Sequence, residues 1–302
     1  MDFTLTSDQS ALLGALDRLV APFESKPIDF HGFALVGSDF ERALIEGEYF
    51  DLARIPELGA LTAAMVVERL AWLPYTAEIA LSMLLRPHLP GDWPRPLGIV
   101  ENGRPGRFVA SARTLVLIDG DDIRLARVTA DEVEPVDSLF AYPMGRLKRR
   151  PPATMLSSQD AANARKWIRI ALANEATGLM QAALASAVEH LSVRKQFGRP
   201  LGAFQALRHR MAECAVLAGG VRWLALKAAA TADDGDAALA ALHAQDSATR
   251  IVYDLHQMLG AMGMTLEHPL HLWTYRLKAL LSELGGRGGQ SVAVAEHGFA
   301  DV

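Results

Sequence analysis

The runs Arg194-Lys195-Gln196-Phe197-Gly198, with Phe204-Gln205 after it, and Gln257-Met258-Leu259-Gly260-Ala261-Met262-Gly263 decide how this chain folds. Each ends or joins a helical stretch. Ahead of the first run, Ser157, Ser158 and Asp160 can start a long helix that reaches about Val193. Leu201 to Thr231 reads as a second helix, Asp233-Asp234-Gly235 breaks it, and Ala237 to Leu259 forms a third. Pro269 opens a fourth, to about Leu284, where Gly285-Gly286 ends it. Four apolar-faced helices with short connections predict an antiparallel four-helix bundle. Alanine-rich stretches such as Ala237–Ala244 allow close helix approach.

Upstream the texture differs. Thr6 to about Ala21 has Leu12, Leu13, Leu16, Leu19 and Val20 near helical spacing, with Thr6 or Ser7 as cap and Pro22 and Pro27 as terminators. Phe40–Gly47 and Leu61–Leu73 are further helices. Pro74 interrupts, and Thr76–Leu85 is expected to continue helically. Pro87, Pro90, Pro94 and Pro96 then mark a boundary. Leu97–Val100, Arg107–Ala110, Thr114–Ile118 and Ile123–Ala126 are short and rich in β-formers, with turn signals at Asn102-Gly103 and Asp119-Gly120. They predict a small antiparallel β unit, followed by a basic linker over Arg146–Pro152. The expectation is a mainly α chain with a small β domain: an N-terminal helical domain over 1–93, a reduced β domain over 94–150 and the bundle over 151–302.

Composition narrows the function classes. The 302 residues are 50% hydrophobic and 22% charged, which argues against global disorder. A net charge of −5 gives no electrostatic case for nucleic acid. Cys214 is the one cysteine, so no intramolecular disulfide forms; its apolar helical surroundings read as a buried, inert thiol. No basic n-region precedes an apolar core at the N-terminus, and no uninterrupted apolar stretch reaches the ~18 residues of a bilayer span. These features predict a cytoplasmic protein with no membrane partner.

The two opening runs, read as R-x-Q-F-G, F-Q, Q-x-x-G-x-x-G and then Glu267-His268-Pro269-Leu270, resemble the C-terminal bundle of acyl-CoA dehydrogenases. Weaker likenesses extend upstream: Met1-Asp2-Phe3-Thr4-Leu5-Thr6, Glu46-Gly47-Glu48-Tyr49-Phe50-Asp51-Leu52 and Val66-Val67-Glu68-Arg69-Leu70-Ala71. The domain order is also the family's. The resemblance implies FAD as cofactor and makes Arg194, Phe197, Gln257, Gly260 and Ala261 a half-site that contacts a flavin nucleotide held by a neighbouring subunit. The residue types suit that role. A guanidinium binds pyrophosphate oxygens bidentately, Phe197 offers an apolar surface, and Gln257 can pair with a phosphate, ribose or adenine edge. Ala261 stands where the family usually has a second glycine.

Equally telling is what the resemblance does not cover. The family's T-E-P-x-x-G-S-D type segment and Trp-containing strand, which cradle the flavin ring and thioester, have no match between Pro94 and Arg150. The family's catalytic glutamate occupies one of two places, and alignment puts Ile168 at one and Leu284 at the other. Glu283 is a weak candidate base one residue early; a one-residue slip turns a helical side chain by about 100°, and the expected role is a solvated carboxylate at a helix end. His268 and His271 lie three apart without a convergent third ligand, so no metal is expected. The chain resembles the reduced subunit of bacterial α2β2 heterotetrameric acyl-CoA dehydrogenases known for steroid side-chain degradation. The implied partners are a larger subunit carrying the catalytic Glu, an acyl-CoA substrate and electron-transferring flavoprotein. Two alternatives stay open: a homomeric enzyme using Glu283, and a non-enzymatic scaffolding protein that keeps the fold.

Overall fold

The computed structural model of the chain describes residues 3–27 and 29–298; Met1 and Asp2 of the upstream likeness Met1–Thr6 lie outside them. Helix α1 (Ser7–Glu24) is started by a capping box, in which the Thr6 hydroxyl accepts the Gln9 N–H and the Gln9 side chain accepts the Thr6 N–H. Pro22 sits inside its last turn, so the helix outlasts the expected stop at Ala21. Strand β1 (Leu35–Val36), α2 (Ser38–Glu46) and α3 (Gly59–Ala71) follow. After Pro74 the expected helix over Thr76–Leu85 does not form as such. Tyr75–Thr76 (β2) pairs in parallel with β1, and only Leu81–Leu85 is wound, as a π turn.

The β unit holds two small sheets. One has the order β3 (Leu97–Glu101), β5 (Thr114–Asp119), β6 (Asp122–Arg127), β9 (Thr154–Met155); the other has β4 (Gly106–Arg107), β8 (Met144–Leu147), β7 (Val133–Pro135). The first is mixed, because β3 and β5 run parallel, not antiparallel as the turn signals suggest. The chain crosses back between them through β4 and the single turn Val109–Ser111, which replaces the expected strand over Arg107–Ala110. The basic stretch is not simply a linker either, since Arg146 and Leu147 pair with β7. Strand β5 is buried on both faces: Leu115 and Leu117 enter a small core of the β unit, while Val116 and Ile118 face the main helical core. That double burial explains its unbroken apolar run.

The bundle is built on α4 (Ser158–Val193), about 54 Å long at the helical rise. Ser157 caps it by accepting the Asp160 N–H at 3.1 Å. Its middle third is buried on every side, because α3, α5 (Gln205–Thr231), α6 (Asp234–Leu259) and α7 (His271–Leu280) all pack around it. Gly178 lets α3 in: a Cβ there would lie 2.1 Å from the Glu68 carbonyl oxygen. The expected fourth helix is shorter than its apolar pattern. It ends at Leu280, a single turn carries Glu283–Gly285, and Gly286 (φ +62°) starts α8 (Gly286–Gly298), which packs on α6. By length and composition α5 is apolar enough to cross a membrane. Here Cys214, Ala218, Val221 and Ala225 face the bundle, and Arg222 pairs with Glu68 at 2.7 Å.

Candidate functional site

Helices α4 and α6 run the same way with α5 returning between them, so both opening runs emerge at one end of the bundle. After α4 the chain makes a tight hairpin, β10 (Lys195–Gln196) against β11 (Arg199–Pro200). Phe197 (φ +53°) and Gly198 (φ +80°) are its two turn residues, both at the positive φ that a tight hairpin loop requires. The turn thrusts Phe197 outward, 86% exposed, with its ring edge-on to Phe204 at 6.0 Å. Arg194 caps α4 through its backbone N–H to the His190 carbonyl, while its guanidinium is exposed and has no carboxylate partner among the described residues.

The second run ends α6. Gly260 (φ +60°) takes a conformation open to glycine, and its N–H closes on the Gln257 carbonyl. Gly263 serves a different need: a Cβ there would come within 2.6 Å of the His256 carbonyl. The glycines of Q-x-x-G-x-x-G thus turn the chain and fold it back on its own helix. Gln257 and Ala261 are exposed. The two runs are joined by the His190 and His268 rings, 5.1 Å apart and nearly perpendicular. Burial and the neighbouring His190 push His268 down to about 4, so it is neutral. His271 is buried, with its ring nitrogens on the carbonyls of His268 and Gly32. Gln257 and Gly260 border a groove of about 640 Å³ between α6 and α7, walled also by Tyr253, His256, Tyr275 and Lys278.

At both expected base positions the structure places hydrocarbon. Ile168 is completely buried in the main core, and Leu284 is buried with its backbone at φ +53°. Glu283 departs from expectation: it is largely shielded and ion-paired, not solvated. Its carboxylate takes both Nε and Nη2 of Arg107, and Arg107 Nη1 donates to Glu175 at 2.6 Å. Glu175 accepts the Tyr142 hydroxyl at 2.7 Å on its other oxygen. Burial opposes the charge on Arg107, but Glu175 and Glu283 outweigh it and hold the guanidinium ionised. Burial raises the Glu283 carboxyl above its ordinary range despite Arg107, with Glu175 and Glu101 adding to the rise. Glu101 in turn accepts the Leu284 and Gly285 N–H groups at 2.9 and 3.0 Å, and Gln245 donates to the Leu280 and Glu283 carbonyls. The turn after α7 is thereby tied to the β unit, to α4 and to α6. Sequence reasoning passed over Arg107, Glu175 and Tyr142; a carboxylate inside the apolar run Ile168–Met180 was the visible signal.

Residues 160–288 match the acyl-CoA dehydrogenase C-terminal domain. This stretch, somewhat under half of the chain, is an acyl-CoA dehydrogenase C-terminal domain. It is 33% identical to Acyl-CoA dehydrogenase FadE34 of Mycobacterium tuberculosis over 202 residues, which is 64% of this chain and 28% of that protein. It is likewise 33% identical to Acyl-CoA dehydrogenase IpdE2 of Mycolicibacterium smegmatis, over 62% of each chain. The chain therefore matches between about a quarter and two-thirds of the length of these curated relatives. Among solved structures, a glutaryl-coenzyme A dehydrogenase in complex with glutaryl-CoA superposes with TM-score 0.75 at 17% identity, covering 99% of this chain and 97% of that one. The ChsE4–ChsE5 complex of Mycobacterium tuberculosis gives TM-score 0.73 at 19% identity, with full coverage of both chains. The Tcur3481–Tcur3483 steroid ACAD gives 0.73 at 18%, over 98% and 99%. The acyl-CoA dehydrogenase fold thus extends across the whole chain, β unit included.

Proposed function

We propose that this chain is a subunit of a hetero-oligomeric, FAD-dependent acyl-CoA dehydrogenase, that it lacks the catalytic glutamate, and that it completes the FAD site of a larger partner subunit carrying that residue. The observation that carries the reading is hydrocarbon at both expected base positions, together with an Arg107–Glu175–Glu283–Tyr142 network that holds Glu283 next to Leu284. A base must be free to take a proton from the substrate, and Glu283 is held by two guanidinium nitrogens. This weighs against the homomeric alternative. On this reading the chain comprises 1–93, 94–150 and 151–302 as three domains, the middle one having its own small core.

FAD fits the open end of the bundle. Arg194 offers an exposed guanidinium for a pyrophosphate, Phe197 an apolar face, and Gln257 and the Gly260–Ala261 backbone an exposed polar edge. Bound flavin supplies the hydride acceptor for α,β-desaturation of an acyl-CoA. This chain's residues bind and orient the nucleotide and do not move the proton. Electron-transferring flavoprotein is the proposed acceptor of the complex. A bulky acyl group, such as a steroid side-chain thioester, is the proposed substrate, supported by fold likeness to a protein described as a steroid ACAD.

The test has two arms. The isolated chain should not oxidise acyl-CoA thioesters; turnover abolished by Glu283→Gln would promote the homomeric reading. In the complex co-purified with the chain, Arg194→Ala should lower flavin content while shifting the isolated chain's stability by less than ~0.5 kcal/mol, as exposed positions do. Unchanged flavin content would remove the half-site.

A further inference from the structure

A cavity of about 340 Å³ opens between α1, α3 and α5, with no residue of either opening run in its wall. Phe3, Leu13, Met65, Trp223 and Leu226 make it apolar. Met65 and Leu226 are buried, whereas Trp223 is 52% exposed and its ring lies 5.4 Å from that of Phe3, tilted by 35°. Two partly exposed aromatic rings favour a third, which gains buried area and edge or offset contacts together. Charge in the cavity is balanced. Asp17 and Glu68 line it, as do Arg69 and Arg222. Arg69 Nε pairs with Asp17 at 2.8 Å and its Nη2 with Glu24 at 2.9 Å, while Arg222 Nε donates to Glu68 Oε1 at 2.7 Å. An ion of either sign would meet a like charge in the wall, so the cavity suits a neutral guest. One group is left over. Glu68 is 9% exposed, and its second oxygen, Oε2, is buried with no hydrogen-bond donor among the described residues. A buried carboxylate oxygen without a donor is destabilising, and a ligand that brings one relieves it.

We propose that this cavity binds a neutral aromatic molecule carrying one N–H or O–H donor, its ring against Phe3 and Trp223 and its donor on Glu68 Oε2. The proposal is independent of the FAD half-site reading. Such a ligand joins α1 and α3 to α5, and so ties the N-terminal helices to the bundle. Because the cavity exists only where these three helices are assembled, binding should stabilise the chain against unfolding.

Indole is the probe, with benzofuran as the isostere that has an oxygen in place of the N–H. The purified full chain is titrated with each by calorimetry, and its melting is followed. Indole should bind saturably and raise the melting temperature with concentration. Benzofuran should bind about tenfold more weakly, the loss of one hydrogen bond to a charged acceptor. Trp223→Ala should weaken both by a similar factor, since it removes a wall and leaves the acceptor. Glu68→Met should erase the difference between them; Arg222, whose side chain is 32% exposed, then turns to water. No saturable binding of indole, or equal binding of indole and benzofuran to the wild type, overturns the proposal, and neither result depends on a variant that folds. Indole binding that neither Trp223→Ala nor Glu68→Met alters lies elsewhere on the chain and overturns it as well.

Discussion

Replacing Arg107 by Met tests the network that ties the β unit to the bundle. The Arg107 side chain is 2% exposed and, among the described residues, is the one cation bonded to the two carboxylates of Glu175 and Glu283, themselves 10% and 13% exposed. Met keeps much of the volume but leaves both carboxylates without their counter-charge. Removing one partner of a buried ion pair costs about 3–5 kcal/mol, chiefly because the remaining charge is stranded. For a chain of this size that lowers the melting temperature by roughly 6–10 °C, at about 2 °C per kcal/mol. A pH signature follows. Burial already raises Glu283 in the folded state, so the native chain holds that proton at pH values where the unfolded chain has released it. Stability therefore falls as pH rises from the ordinary carboxylate range through the raised value, and losing Arg107 steepens the fall. Glu283→Gln in the Arg107→Met background removes one stranded charge and should recover part of the loss, most strongly at the higher pH. Urea unfolding of the three variants and the wild type at about pH 5 and pH 8 measures all of this. A loss below about 1 kcal/mol for Arg107→Met, or no recovery on adding Glu283→Gln, would refute the reasoning.

Gly178→Ala should separate α3 from α4, because its Cβ would lie 2.1 Å from the Glu68 carbonyl and 2.8 Å from the Ala71 methyl. Overpacking of that kind costs about 1–3 kcal/mol, against about 1 kcal/mol gained from helix propensity, so unfolding should show a net loss. Cys214 is fully buried, and burial together with Asp254 pushes its thiol up to about 11. It should resist a thiol reagent at neutral pH and react stoichiometrically only in denaturant; rapid labelling of the native chain would contradict its placement. Gly260→Ala should destabilise the end of α6 by strain rather than collision, since nothing lies within 4 Å of its would-be Cβ but φ is +60°. With ψ at −133° the position lies outside the left-handed helical region that Asn tolerates, so Asn should be about as costly as Ala in thermal unfolding.

The sequence by itself determined the helices that end in local signals. Ser157 starts α4 where its hydroxyl was expected to act, and Gly198 and Gly260 turn the chain where their φ requires it. That Ile168 and Leu284 are hydrocarbon is likewise settled by side-chain identity, which needs no coordinates. Tertiary structure decided what local patterns share among alternatives. The apolar run after Pro269 reads as one helix, but the turn at Glu283–Gly285 is bound by Arg107, Glu101 and Gln245 from three distant elements, and α8 follows it. Glu283 was legible as a carboxylate near a helix end and not as an ion-paired one, since its partner Arg107 lies on a strand 176 residues earlier in the chain. The parallel pairing of β3 with β5 likewise depends on a non-local crossover that turn residues do not encode. Among the described residues Lys278 has no carboxylate partner, because folding brings none of their acids to the lining of its groove, a property of the assembled surface and of no single segment.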